Sequence, residues 1–153
     1  MFEVNAVELQ ECLIEDLKAG LTPMVASSPG MGKSDIIRSI AELFKLKVID
    51  FRVSQCEPVD MQGYPGVISD TANQLRMTFH IPEYFPIEGD PIPEGYDGWL
   101  LFLDEFNSGN KQTEAAAYKL ILDKEVYKHK LHSRCLIAAA GNLTTDRAIV
   151  NTQ

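Results

Sequence analysis

The sequence is short of cysteine, of positive charge and of long apolar runs, and each shortage excludes something. Cysteines stand only at positions 12, 56 and 135. Their odd number, wide spacing and lack of any CxxC or Cys/His pattern exclude a disulfide scaffold and a zinc module, and read as buried free thiols in a reducing compartment. Lys and Arg number 14 against 22 Asp and Glu, a net charge of −8. Such an acidic chain is a poor nonspecific nucleic-acid binder, although a local basic patch can still exist. No apolar run approaches the roughly 20 residues that span a bilayer, and no basic stretch followed by an apolar one opens the chain. A cytoplasmic protein without a membrane partner is expected.

What is present is ordinary for a globular chain: 153 residues, 45% of them hydrophobic, enough for one domain over 1–153 with a real core. The informative stretch is TPMVASSPGMGKSDIIRSIAELF, Thr22 to Phe44. Met24–Ala26 reads as a strand, and Ile36, Ile37, Ile40, Ala41 and Phe44 follow at helical spacing. Between them lie Ser28, Pro29, Gly30, Met31, Gly32, Lys33, Ser34 and Asp35, the candidate ATP-binding residues. Strand, glycine-containing loop, Gly-Lys-Ser and helix is the layout of a phosphate-binding P-loop. Glycines let backbone N–H groups turn inward onto phosphate oxygens, and the helix N-terminus adds partial positive charge. Lys33 is placed to reach the β- and γ-phosphates and Ser34 to ligate Mg²⁺. Ser27 stands where the pattern asks for its first glycine. The competing explanation is a chance Gly-Lys-Ser at a turn.

Elsewhere the pattern predicts a helix over 5–19, capped by Asn5 and packed beside the nucleotide site, and a second strand over 47–53. Residues 56–98 hold six of the eight prolines and five of the ten glycines, so turns should dominate this loop-rich insertion. Gln74–Phe79 is expected as one strand of a hairpin after a turn at 69–73. Such a span is usually functional or disordered, and its scattered aromatics argue against disorder. A surface insertion without a partner is the alternative.

Trp99-Leu100-Leu101-Phe102-Leu103-Asp104-Glu105 suits a central parallel strand buried on both faces. Its two carboxylates lie where open α/β sheets bind ligands. After a P-loop they read as a Walker B pair, with Asp104 holding Mg²⁺ and Glu105 polarising the attacking water. An exposed acidic turn is the bland reading. A helix over 110–124, a hairpin over 125–134 and a buried strand over 136–140 follow. Asn142, at the end of that strand, is a candidate to contact the γ-phosphate or orient water, or is a plain turn residue. Lys124, Lys128, Lys130 and Arg134, with His129 and His132 between, make the hairpin a basic cluster.

Taken together, SSPGMGKS, FLDEFN before a Lys/Gln-containing helix, and AAAGNLTTDRA resemble an AAA+ ATPase of the MoxR-like branch. VDMQGYPG and IPEYFP are similar to further segments of that family. The resemblance covers nearly the whole chain. It implies an α/β fold, a three-layer αβα P-loop NTPase with strand order 5-1-4-3-2, and ATP and Mg²⁺ as cofactors. In that pattern Glu105 and Asn142 are catalytic, Asn142 as sensor 1, while Ser34 and Asp104 hold the metal. The family pattern continues past the equivalent of Gln153 with a fifth strand, an arginine finger and a helical lid; Arg147 lies too near sensor 1 to match the finger. The implied function is ATP hydrolysis coupled to remodelling of a protein client, in a homo-oligomeric ring. The rivals are a non-hydrolysing nucleotide-dependent interaction module and a DNA-handling motor or loader, the latter disfavoured by the acidic composition.

Overall fold

The computed structural model describes residues 6–27, 32–69, 72, 74–108 and 110–142. Its centre is a four-stranded parallel sheet of β1 (Met24–Ser27), β2 (Leu46–Arg52), β5 (Gly98–Asp104) and β8 (Cys135–Asn142). The spatial order is β1-β8-β5-β2, which is the expected 1-4-3-2 portion of the strand order. Helices cover both faces, α1 (Ala6–Lys18) and α2 (Lys33–Phe44) on one, α4 (Lys111–Asp123) on the other.

The alternation of strand side chains divides the interior into two cores. On β5, Leu100 and Phe102 join Leu13, Leu17, Ile37 and Ile40 beneath α1 and α2. Trp99, Leu101 and Leu103 face the other way, onto Ala116, Ala117 and Leu120 of α4. Leu100, Leu101 and Leu103 are wholly enclosed, each worth about 2 kcal/mol of apolar burial. That two-sided enclosure explains why this stretch reads as one unbroken apolar run.

Helix α2 starts and stops on left-handed residues. Gly32 (φ 70°) precedes it, and Lys45 (φ 54°) ends it, donating its N–H to the Ala41 and Glu42 carbonyls. Gly32 adopts this conformation freely, whereas Lys45 accepts a cost of about 1 kcal/mol for the same geometry. Helix α4 begins where the side chain of Asn110 accepts the Thr113 N–H at 2.8 Å, an N-cap.

The span 56–98 is more ordered than its composition predicts. It holds α3 (Pro58–Gln62) and an antiparallel hairpin of β3 (Tyr64–Ser69) and β4 (Leu75–His80). The expected strand is therefore present, shifted by one residue. The expected cap Asn5 and residues 70, 71 and 73 of the expected turn lie outside the described residues. Strand β2 ends at Arg52, one residue early, because Val53 turns into a 3₁₀ turn, Val53–Gln55. The second hairpin is β6 (Glu125–Val126) and β7 (His129–Lys130). The three thiols are free as expected, but only Cys135 is buried; Cys12 is exposed and Cys56 half-buried. Cys12 is on α1, whose core-facing residues are Leu13 and Leu17, so its neighbour's burial does not extend to it.

Candidate functional site

The carboxyl ends of β1, β8 and β5 lie side by side, with Ser27 opposite Asn142 and Leu103 opposite Ala139. This is the crevice in which open parallel sheets bind ligands. Residues Ser28, Pro29, Gly30 and Met31, and the side chains of Ser27 and Asn142, lie outside the described residues. The structure resumes at Gly32, and Lys33 and Ser34 form the first turn of α2, with Asp35 exposed beside them.

Lys33 turns back from α2 onto the sheet. Its Nζ lies 3.8 Å from Asp104 Oδ1, both side chains mostly enclosed at 12% and 14% exposure. Leu9 and Leu13 of α1 line a small apolar cleft with the Lys33 stem, Val25, Ile36 and Phe102, so α1 does pack beside this position. Asp104 follows Leu100 and Phe102 on the same face of β5, which directs its carboxylate toward α2. The same Oδ1 accepts the Glu105 N–H at 2.8 Å.

At Glu105 the backbone leaves the strand through a left-handed turn, φ 53°. For a non-glycine residue this stores about 1–3 kcal/mol. The turn separates the two carboxylates: Asp104 goes to Lys33, while Glu105 Oε2 accepts a hydrogen bond from the Ser54 hydroxyl in the 3₁₀ turn after β2. Arg52 is in register with Asp104, and Asp50 with Phe102, so Asp50 and Arg52 share the Asp104 face. The Asp50 carboxyl is pushed above its usual range, first by partial desolvation and then by Asp104, with Arg52 and Arg38 pulling the other way. At Gly141, just before Asn142, a Cβ would come within 2.9 Å of Asn107 Oδ1. Asn107 therefore packs closely against the end of β8.

Sequence reasoning singled out Lys33, Ser34, Asp104 and Glu105, and the structure brings Lys33 and Asp104 together. It missed Ser54, Asp50 and Asn107. The available signal was positional: Ser54 and Asn107 follow the ends of β2 and β5, and Asp50 lies two residues before the end of β2. Chemically, a partly enclosed ammonium, a carboxylate and a helix-opening hydroxyl suit a phosphate with a hard cation. Mg²⁺ keeps several waters and takes few protein oxygens, which Ser34 and Asp104 can supply. Among the described residues no group of three or more His, Cys, Asp and Glu could hold a metal by itself.

The basic hairpin keeps its cations at the surface. Lys124 Nζ donates to the Gly20 carbonyl at 3.4 Å. The His132 ring lies against Trp99 with centroids 5.0 Å apart, and its Nδ1 accepts the Arg134 N–H. Lys124, Lys128, His129, Lys130 and Arg134 are all exposed, with His132 half-buried. No described helix is long and apolar enough to cross a membrane.

No protein-family model matches this chain, and no curated protein matches it. Solved structures do. A candidate ATPase from Cytophaga hutchinsonii ATCC 33406 superposes with a TM-score of 0.54 at 16% identity, over 96% of this chain and 41% of that one. NtrX from Brucella abortus gives 0.52 at 13% identity, over 95% and 32%. The likeness is one of fold: a parallel α/β sheet with helices on both faces. This chain spans about two fifths and one third of those two proteins' lengths.

Proposed function

We propose that this chain is the nucleotide-binding core of an AAA+ ATPase of MoxR-like type, which binds ATP with Mg²⁺ and hydrolyses it to remodel a protein partner. The single observation that carries the reading is Lys33 Nζ beside Asp104 Oδ1 at 3.8 Å, at the end of a buried parallel strand. In this reading the backbone and side chains from Ser28 to Asp35 hold the phosphates, with the Lys33 charge offsetting theirs. Ser34 and Asp104 hold Mg²⁺, which supplies charge neutralisation on the phosphates. Glu105 orients and polarises the water, and Asn142 supports the γ-phosphate. Assembly into a homo-oligomeric ring belongs to the same proposal.

A protein client is favoured by the two hairpins. On β3–β4 the register pairs Val67 with Met77 and Ser69 with Leu75, so Val67, Leu75 and Met77 share one face and are 68%, 76% and 70% exposed. On the same face Phe79 meets Tyr127 of the second hairpin, ring centroids 4.9 Å apart. An apolar stripe thus runs into the basic tip at Lys128, and exposed apolar patches of this kind suit protein partners.

The test is calorimetric titration of ATP with and without Mg²⁺. The parent chain is expected to bind more tightly with Mg²⁺, and Asp104→Asn to lose most of that gain while keeping its circular dichroism. Equal affinity of the parent with and without the cation would refute the metal assignment.

A further inference from the structure

The central sheet stops at β2, which has β5 on one side and no strand on the other among the described residues. Its backbone polarity can be traced through the ladder. The Trp99 N–H donates to Arg134 O, toward β8, so alternation turns Leu100 and Phe102 toward β2. Their partners' neighbours Lys47, Ile49 and Phe51 then point inward to β5, and Val48, Asp50 and Arg52 present N–H and C=O groups outward. Among the described residues the Arg52 carbonyl is already taken, by the Cys56 thiol at 3.1 Å and by the 3₁₀ turn it caps, whereas no backbone hydrogen bond beyond the β2–β5 ladder ends on Val48 or Asp50.

This edge is bordered by two shallow concavities along its length. One, of about 600 Å³, takes in Leu46–Val48 together with Arg38, Lys45 and Tyr96. The other, of about 560 Å³, takes in Ile49–Arg52 with Asp60 and Tyr84. Between them they include all seven residues of β2, a track about 23 Å long at the usual rise per strand residue. The first concavity is basic: Arg38, Lys45 and Lys47 outnumber its one carboxylate, Glu42, within a chain of net charge −8.

We infer that the outer edge of β2 is a strand-addition site for an extended, acidic peptide segment of a protein partner. Backbone pairing with Val48 and Asp50 supplies affinity, and Arg38, Lys45 and Lys47 select an acidic residue at the Leu46 end. The basic end explains why the segment is acidic. The site's basic end, at Leu46 and Lys45, lies at the opposite end of α2 from Lys33, and the peptide test uses no nucleotide.

The probe is a fluorescein-labelled heptapeptide of alternating valine and glutamate, followed by fluorescence anisotropy and by hydrogen–deuterium exchange on the whole chain. Binding should slow exchange at Val48 and Asp50. A fully N-methylated copy of the peptide, with the same side chains and no backbone donor, should bind about tenfold more weakly or worse. The alternating valine–lysine peptide should be similarly weak, and Arg38→Glu with Lys47→Glu should reverse that charge preference. Should the double variant fail to fold, the three-peptide comparison on the parent chain still decides. Equal binding of the N-methylated peptide, protection elsewhere, or no binding overturns the proposal. So does concentration-dependent protection of Val48 and Asp50 without peptide, which would assign the edge to a second copy.

Discussion

Lys33 Nζ and Asp104 Oδ1 stand 3.8 Å apart, one from the first turn of a helix and the other from the last residue of a strand. Each is mostly enclosed, so the pair is weakly screened. Neither residue is a neighbour of the other in sequence; the sheet order and the direction of α2 create the contact.

That geometry gives the first prediction. Lys33→Ala should lower ATP affinity about a hundredfold or more, because several charge-assisted contacts to phosphate disappear together. Its circular dichroism should match the parent's, since the pair lies at the rim of the core. Unchanged affinity in a titration would remove the P-loop assignment.

Binding and turnover should separate at Glu105. Glu105→Gln keeps size and polarity but removes the charge that polarises water, so ATP should still bind while hydrolysis falls by orders of magnitude. Ser54→Ala releases the Glu105 carboxylate from the turn after β2 and should raise basal turnover without altering ATP affinity. A variant Glu105→Gln as fast as its parent would make Glu105 structural.

Asp50 predicts a pH dependence of stability. Its folded carboxyl is raised above the unfolded value by desolvation and by Asp104, so the folded state holds the proton more tightly. Stability from this group is therefore present below the unfolded value and declines as pH rises through the folded one. Asp50→Asn should raise the urea midpoint at pH 7 and leave it nearly unchanged near pH 3. An equal gain at both pH values would point to packing instead of charge.

Gly98 opens β5 against the Arg134 carbonyl, which a Cβ there would overlap. The obstacle is backbone, so the strand must shift to accommodate it. Gly98→Ala should cost about 1–3 kcal/mol, read as a lower denaturation midpoint with an unchanged slope. A neutral result would mean that the Trp99–Arg134 hydrogen bond tolerates displacement.

The sheet was legible because its strands carry strong and unambiguous patterns. The run from Trp99 to Leu103 has only one role that buries both faces, and Lys33 and Asp104 sit at the ends such a sheet must align. What the sequence hid depends on short or irregular backbone. Helix α3 has five residues, too few for periodicity, and is held by a local bond from the Glu57 N–H to Asp60 Oδ2 at 2.8 Å. Strand β3 contains Pro65 and Gly66, which argue against a strand, yet its pairing with β4 is complete. Ser54 could not be connected to Glu105, 51 residues away, without knowing that β2 and β5 are neighbours and that Glu105 turns left-handed. The basic hairpin was legible because charge is visible in sequence; the contact of Lys124 with the Gly20 carbonyl was not, since it joins residues 104 apart.

The contact between Phe79 and Tyr127 bears on how this chain can be recombined with others. Residues 56–98 look like a cassette that could be moved to another scaffold by cutting at its two ends. Phe79 lies inside that cassette and Tyr127 lies outside it, on the hairpin after α4. A graft that carries only 56–98 would leave the tip of β4 facing whatever aromatic or polar residue the recipient has at the Tyr127 position. The transplantable unit is therefore discontinuous: the insertion together with residues 125–131, exchanged as a pair.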